Sequence, residues 1–215
     1  MKLIVGNKNY SSWSIRPWLV LTHFAIPFDE ELVMLSGEGW RETLRKKTPS
    51  GKVPVLVDGD ITVWDSLSII EYIAERYPEV KLWPDDAAAR AHARSVCAEM
   101  HSGFMALRNE CGMNLHRPVR AVTLSADAKA NIARIQDIWR ECRARHGAKG
   151  PFLFGGFGAA DAMYAPVVHR FRTYAIDVTP EARAYMETMM ALPAFQEWTR
   201  DGLAETLLIE RFETV

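Results

Sequence analysis

The first 78 residues alternate between short apolar runs and one-sided apolar stripes, and the rest carries stripes alone. Lys2 to Val5 is a brief apolar run closed by Gly6-Asn7, the pattern of a buried strand. Past the serine cluster Ser11-Ser12-Trp13-Ser14, a broad apolar face of Ile15, Trp18, Leu19, Leu21 and Thr22 predicts a helix, with Pro17 tolerated in its first turn. Ala25-Ile26-Pro27 ends that helix, and Phe28 to Leu35 is compatible with a second strand. A polar stretch from Trp40 to Lys47 has no clear period. Val53 to Val57 and Ile61 to Val63, joined through Asp58-Gly59, then predict a β-hairpin. Ser66 opens an apolar-rich helix that Tyr77-Pro78 stops. This half therefore reads as βαβ followed by ββα.

The composition shifts at Lys81 to Asp86, where Pro84-Asp85-Asp86 looks like a linker running into a helix N-cap. Val96, Met100, Phe104, Leu107, Cys111 and Leu115 recur at steps of three and four, which predicts one long amphipathic helix over 87–115. Further stripes predict helices through Ile132, Ile135, Trp139 and Cys142, over Ala160 to Tyr174, over Glu181 to Met190 and over Pro193 to Asp201. No strand pattern interrupts them. The expectation is an α/β domain over 1–80 and an all-α domain over 87–215.

A net charge of −1 in 215 residues gives no field to draw polyanions, so nucleic acid and anionic membrane are poor partners. No apolar run nears the roughly 20 residues needed to span a bilayer, and the start is too short for a signal peptide. A cytoplasmic protein is expected. Cys97, Cys111 and Cys142 lie far apart on helical patterns and read as buried thiols of a reducing compartment. The six histidines make no metal-ligand spacing with them, and no metal is expected.

Three segments could carry chemistry, and each also has a plain structural reading. Pro54 at a strand start is either an edge proline or part of a cis turn that frees the main chain of Val53 for an extended, peptide-like ligand. Asp65-Ser66 is either a helix cap or a paired site for the ammonium and carboxylate of an α-amino acid. The Ser11 to Ser14 cluster is either a choice of N-caps or a set of hydroxyls for an anion at the helix N-terminus, where the dipole favours a thiolate.

In order and spacing, these segments resemble the glutathione S-transferase family. Ser11-Ser12-Trp13-Ser14-Ile15-Arg16 looks like the Ser-Ser-Cys-Ser-x-Arg of its zeta class and the Ser-Pro-Phe-Ser-x-Arg of its tau class. Lys52-Val53-Pro54-Val55-Leu56 looks like its cis-proline hairpin, and Asp65-Ser66 like its Glu/Gln-Ser pair. The resemblance implies a thioredoxin-like first domain, a helical second domain and a homodimer that binds glutathione and a small hydrophobic electrophile. By the same likeness Ser11, with Ser12 next, stabilises the glutathione thiolate. Val53, beside Pro54, pairs with the cysteinyl unit, and Asp65 and Ser66 hold the γ-glutamyl end. The glycyl carboxylate falls to Lys52, with Trp40 and Arg45 nearby. The electrophile pocket is expected from Trp13, Met100, Phe104, Leu107 and Tyr164. Arg16 and Asp161 are expected to support the fold. Two departures stand out: Asp65 is a methylene shorter than the family's acid, and Trp13 replaces the zeta cysteine, which points away from zeta-type isomerase chemistry. Conjugation or peroxide reduction, isomerisation or dehalogenation, and a non-catalytic binding or stress-response module are the three readings.

Overall fold

The structure, a computed structural model, describes residues 1–213. Its first part is a four-stranded mixed sheet in the order β2-β1-β3-β4, from β1 (Lys2–Gly6), β2 (Asp29–Val33), β3 (Val55–Asp58) and β4 (Ile61–Trp64). β1 runs parallel to β2 and antiparallel to β3, with Ile4 opposite both Glu31 and Val55. Helix α1 (Ile15–His23) makes the crossover from β1 to β2, and α3 (Ser66–Arg76) follows the hairpin.

Both sheet faces are buried, because alternate residues of one strand supply two cores. Leu3, Val5 and Leu56 point into the main core with Ile15, Leu19, Ile69 and Ile73 of α1 and α3. Ile4, Val33 and Val55 point the other way, where Leu44 closes a smaller core. Leu44 belongs to α2 (Trp40–Lys47), a helix the polar pattern did not predict. The reason is local. Its eight residues bury Leu44 alone, so there is no stripe to detect.

The second part is helical: α4 (Ala87–Ser102), α5 (Met105–Glu110), α6 (Ala126–His146), α7 (Ala159–Thr173), α8 (Pro180–Met190) and α9 (Pro193–Ala204). The expected helix over 87–115 is in fact two. The chain breaks at Gly103 and turns through Phe104, whose φ of 61° is left-handed. Arg108 makes the break tolerable by donating its Nε to Gly103 O (3.0 Å) and its Nη2 to the carbonyls of Met100 and His101, the last acceptors of α4. Phe104, Leu107 and Cys111 stay buried on both sides of the break, which is why their spacing mimics one helix.

Asp86 and Ser125 cap α4 and α6 through Ala89 N (2.8 Å) and Ala128 N (3.1 Å). α7 is the centre of the helical part, buried over nearly its whole length and packed on both α1 and α4. Cys97, Cys111 and Cys142 are free and buried. Among the described residues, no group of three or more metal-binding side chains converges and no helix is long and apolar enough to cross a membrane.

Candidate active site

Two adjoining clefts open where the loop after β1 meets the hairpin and the helical part, and Trp13, Lys52 and Val53 line both. The loop is built from its own polar groups. Asn7 O accepts from the amides of Tyr10 (3.1 Å) and Ser11 (2.8 Å), while Asn7 Oδ1 accepts from Leu35 N (2.8 Å). Ser14 Oγ accepts from Gly6 N (3.1 Å) and from the Ser11 hydroxyl (2.7 Å), and Ser14 N donates back to Ser11 Oγ (3.3 Å). Ser11 and Ser12 thus face the cleft just ahead of α1 with unequal freedom. The Ser11 proton is committed to Ser14, whereas Ser12 Oγ has no protein partner among the described residues.

The first cleft, of ≈ 490 Å³, brings Val53, Pro54, Asp65 and Ser66 together with His101 of α4. The Val53–Pro54 bond is cis. Asp65, at a φ of 77°, accepts from Leu67 N (2.9 Å) and so caps α3, while its other oxygen lies 3.4 Å from His101 Nε2. Ser66 is buried, and its Oγ accepts from Arg16 Nη1 (3.3 Å). Capping and ligand-facing roles therefore coexist at this turn. Arg16 is fully enclosed beneath it, with its guanidinium 4.3 Å from the Trp13 ring centre. Burial first, and then the nearby Arg108 and Arg170, pull Arg16 down to about 9.

The second cleft, of ≈ 430 Å³, is lined by Tyr10, Ser11, Ser12 and Trp40 on one side and by Met105, Arg108, Met113, Arg170 and Phe212 on the other. Tyr10, the hydroxyl residue just before the serine pair, is occupied: its hydroxyl donates to Glu213 Oε1 (2.5 Å) and accepts from Ile209 N (3.2 Å). Burial, and then that carboxylate, push the Tyr10 phenol up. Two guanidiniums approach the Trp13 ring, Arg16 at 4.3 Å and Arg108 at 4.8 Å from its centre.

Four residues expected in the electrophile pocket are elsewhere. Met100, Leu107 and Tyr164 have no exposed surface and Phe104 has 8 %, all in the main core, and none of the four lines the cleft. The break after α4 explains this, since it turns the cleft wall over to Met105 and Arg108 of α5. Arg45 is exposed and outside both clefts. The sequence reading missed His101, Arg108, Arg170 and Met113. Each sits within a helical or irregular stretch whose pattern reports only burial, and no local signal marks them.

Sequence profiles of the glutathione S-transferase N-terminal and C-terminal domains match residues 10–76 and 85–201. The chain belongs to the glutathione S-transferase family. It is 31% identical over 174 residues to glutathione S-transferase Z1 of Arabidopsis thaliana, covering 76% of this chain and 75% of that one. It is 29% identical over 188 residues to a probable maleylacetoacetate isomerase of Caenorhabditis elegans, covering 86% of each. Among solved structures, a bacterial zeta-class maleyl pyruvate isomerase shares the fold with a TM-score of 0.73 at 24% identity, over 96% of this chain and 99% of that one. A glutathione transferase homologue from Burkholderia, solved with bound glutathione, has a TM-score of 0.71 at 24% identity, over 95% and 98%. The family is one of glutathione-dependent enzymes.

Proposed function

We propose that this chain binds glutathione along the first cleft and uses the thiolate against an electrophile seated in the second. The observation that carries the reading is convergence: the serine loop, the Val53–Pro54 turn and Asp65-Ser66, distant in sequence, border two clefts that share Trp13, Lys52 and Val53. In this reading Asp65 and Ser66 take the γ-glutamyl end, the main chain of Val53 beside Pro54 pairs with the cysteinyl unit, and Lys52 with Trp40 takes the glycyl carboxylate. The sulfur then lies at the Ser11-Ser12 loop.

A free thiol ionises near 8.5, and lowering that by about two units requires roughly 2.7 kcal/mol of selective thiolate stabilisation. One or two hydrogen bonds to the charged sulfur, helped by the α1 dipole, supply it. Ser12 can donate without breaking an internal bond; Ser11 must first release Ser14. The thiolate forms a bond from sulfur to carbon, the leaving group departs with its electron pair, and the thiol proton passes to solvent.

Calorimetric titration with glutathione, followed by turnover of 1-chloro-2,4-dinitrobenzene, tests this. Binding with turnover is expected. Binding without turnover of any electrophile would leave a binding module, and no binding would overturn the reading. A glutathione-dependent isomerase is the second reading, favoured by relatives that carry that name; it is distinguished by substrate conversion without net loss of glutathione. We also assign a cytoplasmic homodimer, with α3 and the His101 end of α4 at the twofold face. Light scattering should then give twice the 24.3 kDa chain mass.

A further inference from the structure

We propose that Met105 is a reversible oxidation site in the wall of the second cleft, where a hydroperoxide converts its thioether to the sulfoxide and makes an apolar surface polar. The consequence for binding rests on the glutathione-dependent reading above; the chemistry at the sulfur does not.

The other sulfur atoms of the chain are out of reach or engaged. Cysteines react with oxidants as thiolates, and all three here are fully buried. Burial pushes Cys111 up to about 11 and Cys142 up to about 12, and holds Cys97 well above an ordinary thiol. A thioether needs no ionisation, so exposure and the state of its lone pairs decide. Of the nine methionines only Met34 and Met105 are exposed, by 40 % and 58 %. Met34 Sδ accepts from Asn7 Nδ2 (3.4 Å), which ties up a lone pair, whereas Met105 Sδ accepts no hydrogen bond among the described residues. Met105 opens α5 directly after the left-handed turn at Phe104 and lines the second cleft.

In the oxygen transfer a sulfur lone pair attacks the outer oxygen of the hydroperoxide. An S–O bond forms as the O–O bond breaks, and the inner oxygen leaves with the proton as alcohol or water. The methionine is oxidised and the peroxide is reduced. The product is a polar group on a wall where Trp13, Met113 and Phe212 supply apolar surface. It also gains a partner. Arg108 stands one turn along α5 and spends Nε and Nη2 on the carbonyls that end α4, which leaves Nη1 to donate to the new oxygen. The oxidised side chain is thereby held at the cleft, and an apolar group entering there meets a charged, hydrogen-bonded pair in place of a thioether.

The test treats the protein, free of glutathione, with limiting hydrogen peroxide and maps the oxidised residues by peptide mass spectrometry. Calorimetric titrations with glutathione and with S-hexylglutathione, whose alkyl chain extends from the sulfur into the second cleft, follow. The added oxygen should appear first at Met105, ahead of Met34. Oxidised protein should bind glutathione as before and S-hexylglutathione about five- to tenfold more weakly, the loss of about one buried apolar contact. Methionine sulfoxide reductases A and B should restore the affinity, and Met105→Leu should bind S-hexylglutathione equally before and after treatment. Oxidation led by Met34 or by a cysteine, an unchanged S-hexylglutathione affinity once Met105 is oxidised, or the same loss in treated Met105→Leu would overturn the proposal. Untreated protein that binds neither ligand overturns the glutathione-dependent reading instead, and the order of oxidation still decides the site.

Discussion

Ser11 and Ser12 stand side by side at the cleft, yet their hydroxyls are in different states. Motif position puts Ser11 first as the thiol donor. Hydrogen bonding puts Ser12 first, because the Ser11 proton is already held by Ser14 Oγ at 2.7 Å. Ser12→Ala should therefore raise the apparent ionisation of bound glutathione by about one unit or more, each unit being about 1.4 kcal/mol. Ultraviolet titration of the thiolate in the binary complex reads this directly. Ser11→Ala should cost mainly stability, about 1 kcal/mol, from the acceptor lost to Ser14 N. The opposite pattern returns the role to Ser11. A second residue sets the acid limit. His169 is stacked on Phe195 at 4.1 Å with its Nε2 buried and unpartnered, and burial pushes it down to about 3. Its folded value lies below the unfolded one near 6.5. As pH falls from there towards 3, the unfolded chain takes a proton that the native chain refuses, and stability drops by up to about 1.4 kcal/mol per unit. His169→Phe keeps the stack and removes the titration, so its melting temperature should overtake that of the wild type by pH 5. Parallel melting curves from pH 7 to 5 would show that His169 is not the sensitive group.

Elements explain what was legible in the chain and what was not. β1, β3 and α6 to α9 were readable because each buries a face that residue spacing reports directly, and β4, largely exposed, was readable from the Asp58-Gly59 turn that joins it to β3. α2 was not, since one buried leucine carries no period, and neither was the break between α4 and α5, since Phe104 and Leu107 remain in phase across it. The cleft's cations were illegible for a related reason: Arg108 and Arg170 acquire their meaning from which carbonyls they meet, and those lie up to 59 residues away. The start of α7 shows the converse, a structural role that the family resemblance implied. Asp161 accepts from Gly158 N (3.0 Å), Leu153 N (3.1 Å) and Tyr185 Oη (3.0 Å), tying the loop before α7 to α8. Burial pushes its carboxyl up to about 6 against these three bonds, so the stability linked to its proton is present at low pH and is lost as pH rises through that value. Asp161→Ala leaves three donors unsatisfied in the interior and should cost about 3 kcal/mol or more, roughly 6–12 °C in melting temperature. Glutathione affinity of the folded variant should be kept. Lost affinity with an unchanged melting temperature would make Asp161 part of the site.

At the scale of the whole molecule, the chain's last described residues return to hold its first loop. α9 lies so close to that loop that a Cβ on Gly202 would stand 3.1 Å from the Lys8 carbonyl carbon and 3.2 Å from Asn9 N. Trp198 Nε1 donates to Lys8 O (3.1 Å), and Lys8 Nζ, itself nearly buried, reaches Asp201 (2.9 Å) and Glu30 (2.9 Å). Glu205, one residue beyond α9, finishes the clamp: its two carboxylate oxygens accept from Lys8 N (2.6 Å) and Asn9 N (3.1 Å). The serine loop thus takes its shape from residues nearly two hundred positions away, which in the proposed reading couples the helical part to thiol activation. Glu205→Ala removes both acceptors at once and should cost about 2 kcal/mol of stability. It should also loosen the loop that carries Ser11 and Ser12, raising the apparent ionisation of bound glutathione although residue 205 lines neither cleft. Glu205→Gln keeps one accepting oxygen and should fall between the two. Melting curves and thiolate titration on the same three proteins separate the effects. A Glu205→Ala protein that melts lower but titrates like the wild type would show that the loop keeps its shape through Asn7 and Ser14 alone, and that α9 serves stability without reaching the chemistry.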